Sequence, residues 1–478
     1  MRRSIWMRWR DKAFVNHGLP AAWVFITGIC LSSCGRETGG PAARVILISC
    51  DTLRADRLGV YGYERGISPN LDRLAEDCVV FDAAYSAAPS TSPSMSTLLT
   101  GRHPDELGVR GNKVQMPPDV ATLAEALQQE GIETAAVVSN WVLSRENSAA
   151  GAGVSQGFGH FDDRMTTTEI NRLDLPERTA SETTEAALEW LSKRKSDRFF
   201  LWVHYQDPHG PYTPPLEDIE ALDRPLGDED PLPRGKRQSG FGKLPAYQLL
   251  EEECRPEFYR IRYDAEIRYF DRELGRLLDG LEGQGLMKDA LIVFTADHGE
   301  SLGEHNHWFA HGQHLYRDVV RVPFLVRYPE RAQRPTGIKD GRFLRVGDLI
   351  GHTDVCTTVL DAFGLKPLPG YGASLLIDRI ASDRVMAHMG AGWFGITDSR
   401  FRAHWSENRV YLFDVLEDPG ETQNLASSQP EKVQELMQRY KELRASIPPL
   451  AAEGIPSKTS KKNLQALDAL GYGGGEDD

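Results

Sequence analysis

Short apolar runs alternate with amphipathic stretches along most of the chain. The runs Val45–Ser49, Phe199–Tyr205 and Ala290–Asp297 are rich in β-branched or aromatic residues and are followed by polar residues. This pattern is typical of strands buried inside a parallel sheet. The stretches Ser68–Cys78 and Asp119–Gly131 instead carry apolar residues at helical spacing. Because strands alternate with amphipathic helices, the sequence predicts an α/β fold with a mostly parallel central sheet flanked by helices.

The last part of the chain predicts a smaller α+β subdomain. Asn408–Ala426 predicts a strand, a turn and the start of a helix, and Pro430–Ala445 predicts a helix. Between Asp218 and Arg255 the chain is acidic and rich in proline and glycine, which indicates a surface loop or lid rather than a domain boundary. We therefore expect a targeting segment (1–33), a tether (34–43), a main domain (44–365), a C-terminal subdomain (366–446) and a tail (447–478).

The first residues have the composition of a targeting segment. Five basic residues precede an apolar run at Leu19–Leu31, which is too short to span a membrane comfortably. The run ends in LSSC, Leu31 to Cys34, which resembles a bacterial lipobox; an ordinary secretory signal is the alternative. We expect a protein of the cell envelope, anchored by a lipid on Cys34 to the periplasmic or outer face of a bacterial membrane and touching the membrane only through that lipid.

Charge and cysteine content argue against three classes of protein. The formal net charge is −14, whereas a nucleic-acid-binding protein needs a basic face. Beyond the targeting segment, the four cysteines at positions 50, 78, 254 and 356 form no closely spaced pair, which argues against a zinc–thiolate site or a dense disulfide framework. One long-range disulfide is compatible with an exported protein, but scattered buried thiols are the favoured interpretation.

Acidic and histidine residues follow three of the predicted strands. Ligands of open α/β sheets collect beyond the carboxyl ends of the strands, so these side chains are expected to share one site. Asp297 and His298 are adjacent, and such an Asp–His pair suits a divalent ion of intermediate softness, such as zinc or manganese. The alternative is that this stretch is a solvated loop with a helix-capping Asp. The set contains three carboxylates and three imidazoles, enough for one metal site or two neighbouring ones: Asp51, Asp207, His209, Asp297, His298 and His311.

Seven motifs occur along the chain, in this order: DTLRAD, GYxxxxSPNLDRLA, a segment ending LLTG, HYxDPHxPY, TADHGExLGEH, HGxxLYRDxxRVP and LFDxxxDPGExxNLA. Together they resemble the sulfatase branch of the alkaline phosphatase superfamily. The resemblance covers roughly Arg44 to Leu443. It implies an alkaline phosphatase-like core in the main domain, which would be a sulfatase-like catalytic domain, and an activity that hydrolyses anionic esters with the help of one or two divalent ions (zinc, manganese or calcium).

The segment SAAPSTSPSMSTLLTG resembles the sulfatase nucleophile motif C/S-x-P-S-R-x-x-L-x-T-G. Aligning Leu98 to Gly101 with LxTG puts Thr91 at the nucleophile position. Threonine cannot be oxidised to the formylglycine aldehyde that sulfatases use, because its β-carbon carries a methyl group. In this respect the chain is similar to superfamily members with a threonine nucleophile: phosphodiesterases, phosphonate hydrolases and phosphoethanolamine transferases.

The same resemblance assigns roles to the residues at the strand ends. Asp51, Thr91, Asp297 and His298 would bind a metal that activates the Thr91 hydroxyl. Asp207 would serve as a metal ligand, completing a second site with His209 and His311, or the two histidines would bind the ester oxygens and protonate the leaving group.

Three positions depart from the sulfatase pattern. Thr52 stands where a second Asp is common, and His298 stands where sulfatases have Asn. Met95 occupies the position of an Arg or His, and it offers only a weak sulfur acceptor. Either a nearby group such as Arg54 takes over that role, or catalysis is weakened. Our default interpretation is that Met95 packs against the helix that follows Thr91.

The function expected from these residues is hydrolysis of a phosphate or phosphonate ester by Thr91, on a small-molecule, glycan or lipid substrate. Hydrolysis of sulfate esters is an alternative. A transferase of phospho-headgroups is another, although those relatives usually carry several membrane helices and no comparable apolar run follows Cys34. The last alternative is a metal-binding pseudoenzyme without turnover.

Overall fold

The computed structural model describes residues 42–148, 153–222, 224–237, 239–330, 344–376, 380–390, 392–447, 450 and 454–456. Contacts divide the chain into a unit of residues 1–38 and a unit of residues 39–478, and the described residues belong to the second. The expected targeting segment, the lipid attachment site at Cys34 and most of the tail lie outside the described residues.

A large mixed sheet forms the centre of the fold. In the described part of the chain it has eight strands: β1 (Arg44–Cys50), β2 (Cys78–Tyr85), β3 (Glu133–Val138), β4 (His160–Asp162), β5 (Phe199–Tyr205), β6 (Ala290–Ala296), β7 (Phe324–Arg327) and β8 (Leu344–Gly351). Their order is β8-β2-β7-β6-β1-β5-β3-β4. Strand β7 runs antiparallel to both neighbours, and the other neighbouring pairs are parallel.

Helices cover the sheet: α1 (Pro69–Ala75), α2 (Thr91–Thr100), α3 (Leu123–Gln129), α4 (Ala180–Lys193), α5 (Leu216–Glu220), α6 (Pro256–Gly283), α7 (Arg317–Val320) and α8 (Thr353–Ala362). Helices α3 and α4 each begin with a capping box, in which Thr122 and Thr179 exchange hydrogen bonds with the third helical residue, a glutamate in both cases. Helix α6 begins with Pro256, whose fixed φ suits the first helical position. These local signals explain where the helices start.

The C-terminal subdomain is an antiparallel sheet with one helix against it. The sheet contains β9 (Met386–Gly390), β10 (Trp393–Thr397), β11 (Phe401–Trp405) and β12 (Val410–Asp414), in that order. Helix α9 (Pro430–Ala445) packs on it through Val433 and Leu436, which share a separate apolar cluster with strand residues. The predicted fold class, an α/β core with a smaller α+β subdomain, is confirmed.

Several details differ from the sequence pattern. The helix expected at Ser68–Cys78 ends at Ala75, because Cys78 begins the strand β2. The acidic loop after Asp218 overlaps a short helix, α5, whose fully buried Asp218 binds Arg268 and Arg272 of α6. The four described cysteines are free thiols. None of the helices in the described ranges is both long and apolar enough to cross a membrane.

The register of the three central strands positions the candidate site. Strand β1 lies between β5 and β6, with Cys50 opposite Tyr205 on one side and Ala296 on the other. The hydrogen bonds continue one residue further: Asp51 N donates to Tyr205 O at 2.9 Å, and Asp297 N donates to Cys50 O at 3.0 Å. The residues directly after the strands therefore lie side by side at one edge of the sheet.

Candidate functional site

Asp51 and Asp297 form a fully buried pair of carboxylates at this edge. Oδ1 of Asp297 accepts hydrogen bonds from two backbone N–H groups, those of Thr52 at 3.1 Å and His298 at 2.7 Å. Its Oδ2 has no hydrogen-bond partner in the described structure, and neither has Oδ1 of Asp51. Burial and the charge of Asp297 raise the pKa of Asp51 well above its usual value.

The imidazole of His298 is directed at the two carboxylates. Its Nδ1 donates to Gly299 O at 2.9 Å, so that Nε2 carries the lone pair. Nε2 lies 3.4 Å from Oδ2 of Asp297 and 3.7 Å from Oδ1 of Asp51. Burial lowers the pKa of His298 to about 4, so the ring is neutral at neutral pH. A neutral imidazole whose other nitrogen is held by a carbonyl is a typical metal ligand.

The residues at this edge fit a divalent cation. Two buried carboxylates repel each other unless a cation or a proton lies between them. Asp51, Asp297 and His298 each have one buried polar atom without a hydrogen-bond partner in the described structure. Leaving such atoms buried without a partner costs free energy. Oδ2 of Asp51 accepts a hydrogen bond from Asn140. Two oxygen donors and one nitrogen donor suit an ion of intermediate softness.

His204 joins this group, although the sequence reasoning did not select it. Its ring is fully buried, and the ligand atoms of Asp51, His204 and Asp297 all lie within 4.8 Å of one another. Burial lowers the pKa of His204 to about 4, so this ring is also neutral. The sequence signal that could have identified it as a site residue is its position, because His204 is the last but one residue of β5, the strand paired with β1.

Thr91 is the first residue of α2 and is fully buried. Its Oγ1 has no hydrogen-bond partner within the described ranges. One turn later, Ser94 Oγ donates to the backbone carbonyl of Asp297 at 2.5 Å and lies 2.8 Å from His352 Nδ1. Because residues three apart share a helix face, the start of α2 faces the strand end that carries Asp297.

Met95 packs in the main apolar core, fully buried with Leu98 and Leu99. Arg54 does not replace the missing Arg or His. Its guanidinium donates to Asp56 and to Glu300 O and forms an ion pair with Glu304 at 2.8 Å. The structure therefore favours a packing role for Met95.

His209 and His311 extend the imidazole group next to His298. The ring centroids of His298 and His311 are 4.5 Å apart, and those of His209 and His311 are 5.2 Å apart. Nδ1 of His311 lies 3.2 Å from Glu300 Oε1, and the other carboxylate oxygen of Glu300 accepts a hydrogen bond from Tyr212 at 3.2 Å. Burial, and then the neighbouring His311, hold the pKa of His209 well below its usual value.

The structure does not bring Asp207 into this group. Its carboxyl contacts that of Glu266 in α6. Burial raises the pKa of Asp207 to about 7. Burial, followed by the charges of Glu169 and Asp207, raises the pKa of the nearby Glu177 to about 8. Asp207 thus belongs to a cluster of buried acids between the sheet and the helices, and a ligand role for it has no geometric support here.

This acid cluster predicts that the protein loses stability as the pH rises. Asp207 and Glu177 have folded-state pKa values of about 7 and about 8, whereas the unfolded values are about 4. The folded state therefore holds more protons than the unfolded state between about pH 4 and pH 8, and the free energy of unfolding falls across this window. We expect Glu177→Gln to reduce the slope of melting temperature against pH, measured from pH 5 to pH 9.

The control for this prediction is Glu185→Gln, which removes an exposed carboxylate on α4. It is expected to leave the slope unchanged. An unchanged slope in Glu177→Gln as well would show that the cluster does not hold these protons.

Comparisons with known proteins identify the family to which the chain belongs. The sequence profile of the family described as Sulfatase matches residues 43–365. An ulvan-active sulfatase of Formosa agariphila is 25% identical over 417 residues, which cover 80% of this chain and 76% of the relative. An arylsulfatase of Clostridium perfringens is 26% identical over 451 residues, which cover 81% of this chain and 91% of the relative.

Solved structures share the fold. The phosphonate monoester hydrolase of Agrobacterium radiobacter superposes with a TM-score of 0.67 at 21% sequence identity, and the match covers 88% of this chain and 100% of that one. At this identity the likeness concerns the fold. The family profile matches well over half of the chain and includes the strands that precede Asp51 and Asp297 and the strand that contains His204. The chain therefore belongs to the sulfatase family, with an alkaline phosphatase-like fold, and it is an ester hydrolase.

Proposed function

We propose that this protein is a metal-dependent hydrolase of anionic esters in which the Thr91 hydroxyl attacks the phosphorus or sulfur atom of the substrate. The observation that carries the proposal is the position of Thr91. Thr91 begins helix α2, and its buried hydroxyl has no hydrogen-bond partner in the described structure. Ser94 fixes this helix against the backbone carbonyl of Asp297. A hydroxyl in this position is available to a substrate rather than used by the fold.

Asp51, Asp297 and His298 are the residues that would hold the divalent ion, with zinc or manganese favoured over calcium by the nitrogen donor. When bound, the ion would lower the pKa of the attacking hydroxyl and compensate the charge that develops on the ester oxygens. Asn140 orients Asp51 through its hydrogen bond to Oδ2. The backbone N–H groups of Thr52 and His298 bind Oδ1 of Asp297, which leaves Oδ2 for the ion.

His209 and His311 are placed to act on the leaving group. Their rings lie next to each other, and the ring of His311 also lies next to that of His298. Nδ1 of His311 lies within hydrogen-bond distance of Glu300 Oε1, which fixes the orientation of the ring. His311 is then placed to donate a proton to the departing oxygen, whereas His209, whose pKa is held well below its usual value, would only bind the ester oxygens by a hydrogen bond. Water must hydrolyse the resulting threonine ester to restore the enzyme.

Phosphate and phosphonate esters are the favoured substrates. Thr91 cannot form the hydrated aldehyde that releases sulfate in sulfatases, and His298 replaces their Asn. A phosphonate monoester hydrolase shares the fold. Sulfate ester hydrolysis is the second candidate, because the named relatives are sulfatases. The relative named as ulvan-active suggests an anionic glycan as the natural substrate, which an envelope protein anchored at Cys34 would meet outside the inner membrane.

The test is a panel of nitrophenyl esters: sulfate, phosphate monoester, phosphate diester and phosphonate. The purified protein is stripped of metal with a chelator and assayed with zinc, manganese or calcium added back. We expect turnover of the phosphate diester or the phosphonate, restored by zinc or manganese. Turnover of the sulfate ester alone would support the second candidate instead. Metal binding without turnover of any ester would contradict both and favour a binding protein.

A further inference from the structure

His204 lies on the opposite side of Asp51 from His298. It is the first residue of the motif HYxDPHxPY, but the sequence assigned no role to it. Its Nε2 is 4.0 Å from Oδ2 of Asp51, and it has no hydrogen-bond partner in the described structure. The ring is fully buried, so water cannot satisfy that nitrogen from the protein surface. A buried nitrogen that faces two carboxylates and has no partner is best satisfied by a cation.

We propose that His204 is a ligand of the divalent ion through Nε2, and that it makes the centre selective for a transition metal such as zinc over calcium. The inference deepens the proposed function, because it rests on the metal site described there. Two ligand atoms of one zinc ion lie about 3.3–3.6 Å apart when each bond is about 2.0–2.2 Å. Of the distances from His298 to the carboxylates, 3.4 Å lies within this range and 3.7 Å just above it. The 4.0 Å at His204 needs only a small approach.

The other nitrogen of His204 is held as in a metal-binding histidine. Ser49 Oγ lies 2.9 Å from Nδ1 of His204, and the same oxygen accepts a hydrogen bond from Trp202 Nε1 at 2.9 Å. A serine oxygen can accept two hydrogen bonds, so Ser49 can accept from both the indole and Nδ1–H. That arrangement leaves the lone pair on Nε2. All three side chains are fully buried, which fixes the orientation of the ring.

The donor set explains the selectivity. With His204 and His298, two neutral imidazoles and two carboxylates would hold the ion, and their charges would balance a divalent cation. Calcium takes six to eight oxygen ligands and rarely nitrogen. Zinc and similar ions prefer imidazole, need only about four ligands and can take a fifth, which leaves a position for the Thr91 hydroxyl. A centre with two imidazoles therefore discriminates against calcium.

The test measures metal binding directly and needs no substrate. Metal-free full-length protein is titrated with cobalt(II), followed by its visible ligand-field absorption, and with zinc and calcium in competition with an indicator dye. We expect the wild type to bind zinc and cobalt far more tightly than calcium. His204→Gln is expected to weaken zinc and cobalt binding by on the order of 100-fold or more and to change the cobalt spectrum, with calcium binding little affected.

Two further variants make the result interpretable. Ser49→Ala retains the ligand but removes its partner, and a loss of roughly 10–100-fold in zinc affinity is expected. His388→Gln removes a fully buried histidine in the C-terminal sheet, which binds Ser86 O and Thr397, and its zinc affinity is expected to equal that of the wild type. Circular dichroism of the metal-free proteins reports whether each variant folds.

The proposal is overturned if His204→Gln binds zinc and cobalt like the wild type with the same spectrum. It is also overturned if the wild type binds calcium as tightly as zinc. Neither result depends on Thr91 or on turnover. Failure of this inference is therefore distinguishable from failure of the proposed function, which the ester panel decides.

Discussion

Thr91→Ala is expected to lower kcat on every accepted ester by on the order of 10⁴–10⁶-fold, the loss seen when a catalytic nucleophile is removed from a hydrolase. The physical reason is that the first step, formation of the threonine ester, has no substitute group at that position. The variant should fold, since the Thr91 hydroxyl makes no hydrogen bond in the described structure. Metal binding should persist through Asp51, Asp297 and His298. The measurement is kcat by stopped assay, with zinc content determined on the same sample.

Two neighbouring variants serve as controls. Thr91→Ser keeps a hydroxyl at the same atom and is expected to retain turnover within about tenfold, because the attacking atom and the helix are preserved. Ser90→Ala removes the hydroxyl that precedes α2, whose side chain makes no capping hydrogen bond, and should leave kcat unchanged. Turnover that survives Thr91→Ala but disappears in Ser90→Ala would move the nucleophile to Ser90.

The sequence could place the site because the apolar runs mark the strands and polar residues follow directly at their carboxyl ends. Asp51 and Asp297 each follow a buried strand directly, and parallel strands end at the same edge. Nothing beyond the pairing of β1 with β6 was needed to bring these two carboxylates together. For both carboxylates, the identity of the neighbouring residues mattered less than the position directly after a strand.

Side-chain direction was the part that the pattern could not supply. Asp207 also follows a strand closely, but it turns towards Glu266, whereas His204 inside that strand turns towards Asp51. Successive residues of a strand point to opposite faces, so a shift of one residue decides which side chain reaches the site. His204 lies within the apolar run Phe199–Tyr205. A strand otherwise filled with apolar residues gives no reason to select its one polar member as a site residue.

Backbone strain was likewise not evident from the sequence. Thr52 has φ = 57°, in the left-handed region that β-branched residues rarely adopt. Tyr263 of α6 stabilises this turn, because its hydroxyl donates to Thr52 O at 2.7 Å and accepts from Arg54 N at 3.1 Å. The turn directs the N–H of Thr52 at Asp297. A helix more than 200 residues away thus fixes the orientation of a ligand.

Asp51→Asn is expected to abolish metal-dependent turnover while stabilising the metal-free protein. Loss of a direct ligand should weaken zinc binding by more than the roughly 10–100-fold that loss of an outer partner costs. In the absence of metal, however, Asp51 is a buried carboxyl beside Asp297, and its pKa is raised by burial and by that charge. An asparagine of the same shape removes the repulsion.

The pH dependence gives the sign of this effect. A carboxyl whose folded pKa exceeds its unfolded value of about 4 stabilises the folded state when protonated, and this contribution is lost as the pH rises through the folded pKa. The metal-free wild type should therefore melt at lower temperature at pH 8 than at pH 5, and Asp51→Asn should show a smaller difference. Added zinc should raise the melting temperature of the wild type at pH 8 and leave the variant unchanged.

Asp354→Asn is the matched control, because Asp354 is a fully buried carboxylate that forms an ion pair with Arg384. Its replacement leaves a guanidinium without its charge partner and should destabilise the protein with or without zinc. A destabilised Asp51→Asn in metal-free buffer at pH 8 would contradict our interpretation. In that case, Asp51 would contribute to the fold in the way that Asp354 does. If the two variants shift in opposite directions, the carboxylates at the strand ends reduce the stability of the metal-free fold, and they are present because the metal requires them.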